Sequence, residues 1–239
     1  MEPILAEFIG TTLLILLGCG TNANVVLTGT KAHASGWTVI TLGWGLAVFL
    51  GVYAATALGG SGHLNPAVTL GLAAFGLMDA ALVPGYLAGQ ITGALTGALL
   101  AWAAFRPHFA ITSDPEMKLA VFATSPAVRH FPSNFVTEMI GTFVLMFGAL
   151  TASAPTESLG ALDALPVALL VMGIGAGLGG PTGYAINPAR DLGPRIVHAL
   201  LPIPGKRDSD WSYSWVPVAA SIVGSLLAVG LFVAIGANG

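Results

Sequence analysis

The chain has 239 residues, 55% hydrophobic and only 8% charged, with a mean hydropathy of +0.83 and a formal net charge of −3. A soluble domain carries about 25% charged residues, so this composition excludes a water-exposed globular protein and describes a multi-pass protein of the cell membrane. The small net charge gives no basis for a nucleic-acid partner. The single cysteine, Cys19, excludes an intramolecular disulfide, and five scattered histidines offer no metal-ligand spacing.

A helix crosses the ~30 Å hydrocarbon core with about 20 apolar residues. The first such stretch is 4–26. Within it "LLILLGC" (13–19) resembles a lipoprotein signal, but a secretory signal needs a positively charged start. Here Glu2 and Glu7 come first and no Lys or Arg precedes Lys31, so the stretch reads as a retained span. Spans are predicted next at 36–58 and 81–105, with a shorter apolar segment, 65–78, between them. The polar stretch 106–133 follows, then spans at 134–153, 160–179 and 214–236, with a second short segment at 187–201. About 14 residues of helix rise only ~21 Å. Each short segment is too short to cross and too apolar for a surface loop.

Both short segments open on Asn-Pro-Ala, in "GHLNPAVTL" (62–70) and "GYAINPARDL" (183–192). Six Asn and fifteen Pro in this length give about 0.4 Asn-Pro pairs by chance. The halves echo one another elsewhere: "AEFIGTTLLILLG" (6–18) matches "TEMIGTFVLMFG" (137–148), which sets Glu7 opposite Glu138. A repeat with three full crossings enters its second copy from the opposite face. The chain therefore reads as one channel domain, 1–239, with inverted repeats at about 1–105 and 134–239 joined by loop 106–133. Interrupted segments at matching places in inverted repeats point to a transport site at the bilayer midplane. The expected fold is all-α: six transmembrane helices plus two half-helices meeting at the midplane.

Backbone at that depth must be hydrogen-bonded or face a watery cavity. Asn is a favoured N-cap, and Pro at the first helical position lacks the amide that would be orphaned. Asn65-Pro66-Ala67 and Asn187-Pro188-Ala189 are thus helix starts, each bringing about half a positive charge and a side-chain NH₂. Two such ends at one point suit a pore for neutral molecules that repels cations and hydronium. A single copy would be read as a buried cap; two matched copies favour the pore. Glu7 and Glu138 are costly in a span and need partners. They either accept from amides of the non-helical stretches before each Asn or form a proton relay, and their matched positions favour the structural role.

These motifs resemble the aquaporin family over nearly the whole chain. "GYAINPARDLGPR" and "WVPVAASIVGS" (215–225) resemble its glycerol-facilitator branch, where Asp follows the Arg after the second motif, as Asp191 follows Arg190. The resemblance implies a passive pore for glycerol, water and similar small neutral solutes, without cofactor, metal or catalytic residues, in a homotetramer within the lipid bilayer. Dihydroxyacetone, urea and protonated lactic acid share glycerol's size and neutrality. It implies a selectivity filter of Trp44, Gly175, Tyr184 and Arg190. Trp44 and Tyr184 form an apolar corner, Arg190 donates to hydroxyls, and Gly175 leaves space that a His would fill in a water-only channel. Phe is commoner than Tyr184 in that branch, and its hydroxyl is expected to narrow or polarise the ring.

The backbone of Gly62, His63 and Leu64, and of Gly183, Ala185 and Ile186, would line the pore, although His63 also fits a satisfied buried histidine. Asp191 is expected to pair with Arg195 or to accept from loop amides. Gly85-xxx-Gly89 and Gly93-xxx-Gly97 permit close helix contact. Charge opposes the family's orientation: segments it makes external hold Lys31, Arg106, Lys118, Arg129, Lys206 and Arg207, against the positive-inside rule. The competing readings are a proton-coupled transporter using Glu7, Glu138 or Asp191, a water-selective channel, and a structural membrane protein. No nucleophile–base arrangement suggests an enzyme.

Overall fold

The computed structural model describes residues 3–152 and 160–236. Among these, every regular element is a helix. In the first half, α1 (Pro3–Val26) and α2 (Trp37–Ala57) are followed by the short α3 (Pro66–Ala74) and the long α4 (Val83–Ile111). A small helix, α5 (Pro115–Ala120), leads to α6 (Phe131–Thr151), α7 (Leu165–Leu178), the short α8 (Pro188–Leu200) and α9 (Trp215–Ala234).

Five of these helices, α4 counted with its leading turn, are long and apolar enough to cross a membrane. The sixth crossing differs from the expected 160–179. Its α-helix begins only at Leu165, after a 3-10 turn, Gly160–Ala164. Roughly 10 Å of 3-10 rise and 21 Å of α rise together match the hydrocarbon thickness. The third span is longer than expected. Arg106, Pro107 and His108 interrupt the apolar run without breaking the helix, which carries buried Phe109 inward and ends where Thr112 Oγ1 donates to the His108 carbonyl at 2.7 Å.

The packing repeats itself. Helix α1 packs on α2 and α4 as α6 packs on α7 and α9. The halves join where α2 meets α7, where α8 lies on α4, and where α3 lies on α9; α3 and α8 touch each other. Each half-helix thus rests on the last span of its own repeat and on that of the other.

The small-residue spacing in α4 serves an intramolecular contact. A Cβ added at Gly89, Gly93 or Gly97 would fall 2.6, 2.5 and 2.5 Å from the carbonyl oxygens of Ile4, Phe8 and Thr12. Backbone meets backbone every fourth residue, at the separation where Cα–H groups contact carbonyls. In the second repeat Gly224 of α9 takes the corresponding place against the Met139 carbonyl. Gly93→Ala should destabilise the protein by about 1–3 kcal/mol through overpacking. The check is its unfolding midpoint in detergent, and an unchanged midpoint would show that α1 and α4 can separate freely.

Candidate functional site

The two half-helix starts are built alike. Asn65 (φ −153°, ψ 114°) and Asn187 (φ −155°, ψ 111°) are extended N-caps followed by proline. Asn65 Oδ1 accepts from the Ala67 amide at 2.9 Å; Asn187 Oδ1 accepts from Ala189 and Arg190 at 3.0 and 3.3 Å. The side chains also cross over. Asn65 Nδ2 donates to the Ile186 carbonyl at 2.9 Å, and Asn187 Nδ2 donates to the Leu64 carbonyl at 2.8 Å. Each amide group has two protons, so this reciprocal clamp uses one and leaves one beside the cavity that both asparagines line.

The backbone entering each cap is strained. Leu64, Tyr184 and Ile186 have φ of 51°, 37° and 46°, and Gly62 and Gly183 have 67° and 82°. A non-glycine residue in this region costs on the order of 1–3 kcal/mol, and a β-branched one such as Ile186 is a true outlier. The two buried glutamates hold these conformations. Glu7 accepts from the amides of His63 (2.8 Å) and Leu64 (2.7 Å) and from Gln90 Nε2 (2.8 Å). Glu138 accepts from the amides of Ala185 (3.0 Å) and Ile186 (2.9 Å). Neither lines the cavity. His63 lines it, with Nδ1 3.1 Å from Thr69 Oγ1, which also accepts from Gln90 Nε2.

Asp191, in the first turn of α8, lies outside that cavity lining. It accepts from the Thr124 amide and hydroxyl at 2.8 and 2.7 Å and pairs with Arg195 at 2.7 Å, both side chains being fully buried. Arg195 then spends its five N–H groups on five acceptors. These are both Asp191 oxygens and the carbonyls of Thr124, Ser209 and Asp210. Both expected roles of Asp191 coexist in this one network.

Two cavities share lining residues. One, about 200 Å³, is lined by His63, both cap asparagines, Trp44, Tyr184 and Arg190, with aliphatic residues of α2, α6 and α7 completing its wall. The other, about 210 Å³, is lined by Asn22, Trp37, Met117 and Thr124 together with Tyr184 and Arg190. Tyr184 and Arg190 are the residues common to both linings, so they stand at the partition. The Arg190 Cζ lies 4.1 Å from the centroid of Trp44, and its Nη1 has no hydrogen-bond partner among the described residues.

Gly175 does not leave open space, and Tyr184 does not turn its hydroxyl into the passage. A Cβ at Gly175 would lie 2.8 Å from Tyr184 Cζ, 3.0 Å from its Oη and 2.9 Å from Thr41 Cγ2. One at Gly179 would lie 2.5 Å from Tyr184 Cδ1. The ring is therefore laid into a glycine groove on α7, with its hydroxyl buried beside Thr41. Trp37 closes the groove, edge-on to Tyr184 at 5.7 Å and donating through Nε1 to the Gly175 carbonyl at 2.9 Å. Sequence reading missed Asn22, Trp37, Thr41 and Gln90. A polar or aromatic residue inside a span was the available signal, without the register that brings Asn22, Trp37 and Thr41 to Trp44, Tyr184 and Gly175, and Gln90 to Glu7.

Residues 1–232 match the family model described as major intrinsic protein. The chain belongs to the major intrinsic protein family. It is 56% identical over 232 residues to the probable glycerol uptake facilitator protein of Thermotoga maritima, covering 97% of this chain and 98% of that one. It is 51% identical to glycerol uptake facilitator protein 3 of Lactiplantibacillus plantarum, covering 96% and 95%. The solved aquaglyceroporin of Plasmodium falciparum superposes with a TM-score of 0.84 at 30% identity, covering 96% of this chain and 94% of its own.

In this major intrinsic protein, four cations that set charge against orientation have fixed structural partners. Arg129 forks onto Asp210, and Arg207 pairs with Glu116 and Asp208. Lys118 donates to the Pro204 carbonyl, while Lys206 donates to the carbonyls of His198, Ala199 and Leu201 at the end of α8. A cation there satisfies the helix's unpaired carbonyls and its dipole. Burial pushes the Asp210 carboxyl up, but bonds from Arg129 and Ser212 and the Arg129 charge outweigh it and hold the group below its ordinary value. These ties stitch the segments after α4 and α8 together on the Arg190 side of the asparagine clamp.

Proposed function

We propose that this protein is a passive transmembrane channel for glycerol, water and similar small neutral solutes, one that excludes ions and protons. The observation that carries the proposal is the partition: Tyr184 and Arg190 line both cavities, and the first of these is also lined by the two cap asparagines. The names of the relatives, glycerol uptake facilitators and an aquaglyceroporin, support the solute class.

The physical roles follow. Asn65 and Asn187 each offer one remaining N–H to a passing oxygen, beside two half-positive helix ends that repel cations. Backbone carbonyls of Gly62, His63, Leu64, Gly183, Ala185 and Ile186 accept from the solute's hydroxyls. At the filter of Trp44, Gly175, Tyr184 and Arg190, the two aromatic faces take the carbon backbone and the Arg190 guanidinium donates to the hydroxyls. Gly175 contributes by seating Tyr184. Pro66, Ala67, Pro188 and Ala189 set the helix starts, while Glu7, Glu138 and Asp191 are structural. The chain acts as one domain, 1–239, with repeats 1–105 and 134–239 joined by 106–133, and assembles as a homotetramer in the bilayer, without catalytic chemistry.

Nothing favours proton coupling: Glu7 and Glu138 are buried, each of their oxygens already accepts a hydrogen bond, and neither lines the cavity. Glycerol uptake into proteoliposomes should be unaffected by an imposed pH gradient and should not saturate at millimolar glycerol. Uptake that follows the gradient and saturates would replace the channel with a coupled carrier.

A further inference from the structure

Trp44 brings two different chemistries to the partition, a ring face and an indole N–H. The face is turned to Arg190, 4.1 Å from its Cζ. The N–H is turned the other way and donates to Asn22 Oδ1 at 2.9 Å. An indole has one proton and no acceptor, so this bond commits it. Asn22 Nδ2 in turn donates to the Ala120 carbonyl, also at 2.9 Å, at the end of α5. The amide's orientation is fixed by its surroundings, since a flip would set donor against donor and acceptor against acceptor. One turn earlier on the same face of α1, Gly18 makes room for the indole's six-membered ring: a Cβ there would overlap Trp44 Cζ3 and Cη2. Gly18 and Asn22, four residues apart, form a seat that fixes both the depth and the rotation of the ring.

We propose that Asn22 is the positioning residue that makes Trp44 an apolar wall: it withdraws the indole N–H from the passage and ties that orientation to α5. The proposal rests on the channel reading, in which Trp44 belongs to the filter. With the N–H withdrawn and Arg190 Nη1 unpartnered, the donor at the partition is the arginine, and the aromatic side is left for a polyol's carbon backbone. Without Asn22 the indole N–H has no partner on α1, and the wet passage is where it finds one. The ring then swings inward, taking space from glycerol sooner than from water and drawing its face off Arg190.

The test is the ratio of glycerol to water permeability, measured by stopped-flow light scattering on proteoliposomes. The set comprises the wild type, Asn22→Leu, Trp44→Phe, the double variant and Trp44→Ala. Asn22→Leu should lower the ratio about threefold or more, and in the Trp44→Phe background, which has no N–H to hold, it should change nothing further. If Asn22→Leu does not fold, Asn22→Ala carries the same prediction. An unchanged ratio in the Asn22 variant, or an equal drop in both backgrounds, overturns the proposal. A ratio unmoved by Trp44→Ala overturns the filter reading itself, which separates the two failures.

Discussion

Arg195→Met should destabilise the protein by about 3–5 kcal/mol, the cost of leaving one member of a buried ion pair alone. Asp191 would keep two bonds from Thr124 but lose its cation, the carbonyls of Thr124 and Ser209 would lose the guanidinium, and that of Asp210 would keep only the Tyr213 amide. Those carbonyls belong to the segments after α5 and α8, so the damage should spread to the cavity lined by Thr124. Asp191→Leu combined with Arg195→Met should recover part of the loss, since a pair of apolar side chains leaves no uncompensated charge. Thermal or denaturant unfolding in detergent checks both. A single variant as stable as the wild type would mean that the five-bond network contributes nothing.

Arg190→Ala should admit cations. A unit charge about 4 Å from a passing cation at an effective dielectric constant near 20 contributes ~4 kcal/mol of repulsion, and each 1.4 kcal/mol is about tenfold in rate. Proton or monovalent-cation leak should therefore rise by about 10- to 10³-fold, the lower end applying if the two half-helix termini retain most of the barrier. Arg190→Lys should keep much of the exclusion while losing donors to glycerol. Leak into proteoliposomes carrying a pH-sensitive dye is the measurement. An Arg190→Ala channel as proton-tight as the wild type would remove Arg190 from the filter.

Much of this architecture was legible because it obeys one-dimensional rules. Segments 65–78 and 187–201 are too short to cross and begin with a cap and a proline, and the structure starts its half-helices at Pro66 and Pro188. Glu7 and Glu138 stood out because a carboxylate in grease needs donors. What the sequence hid depends on which faces meet. Gly175 reads as empty space until Tyr184 is laid on it. Asn22 reads as a stray polar residue until α2 brings Trp44 to it. The end of α4 was hidden differently, since Arg106, Pro107 and His108 break hydrophobicity without breaking the helix. Four of the cations that set the charge rule against the family's orientation are tied to carbonyls and carboxylates on neighbouring loops, partners that a count of loop charges does not register.

The channel requires a continuous passive passage wide enough for a polyol at the Tyr184–Arg190 partition. Its most direct test is stopped-flow light scattering on proteoliposomes shocked with glycerol and separately with impermeant sucrose, repeated across temperature. Fast water efflux in sucrose and fast re-swelling in glycerol are expected, both with an activation energy well below that of empty liposomes. Water efflux without glycerol re-swelling would show that Tyr184 closes the partition to polyols. Rates no faster than bare lipid for either solute, from folded and inserted protein, would contradict the channel outright.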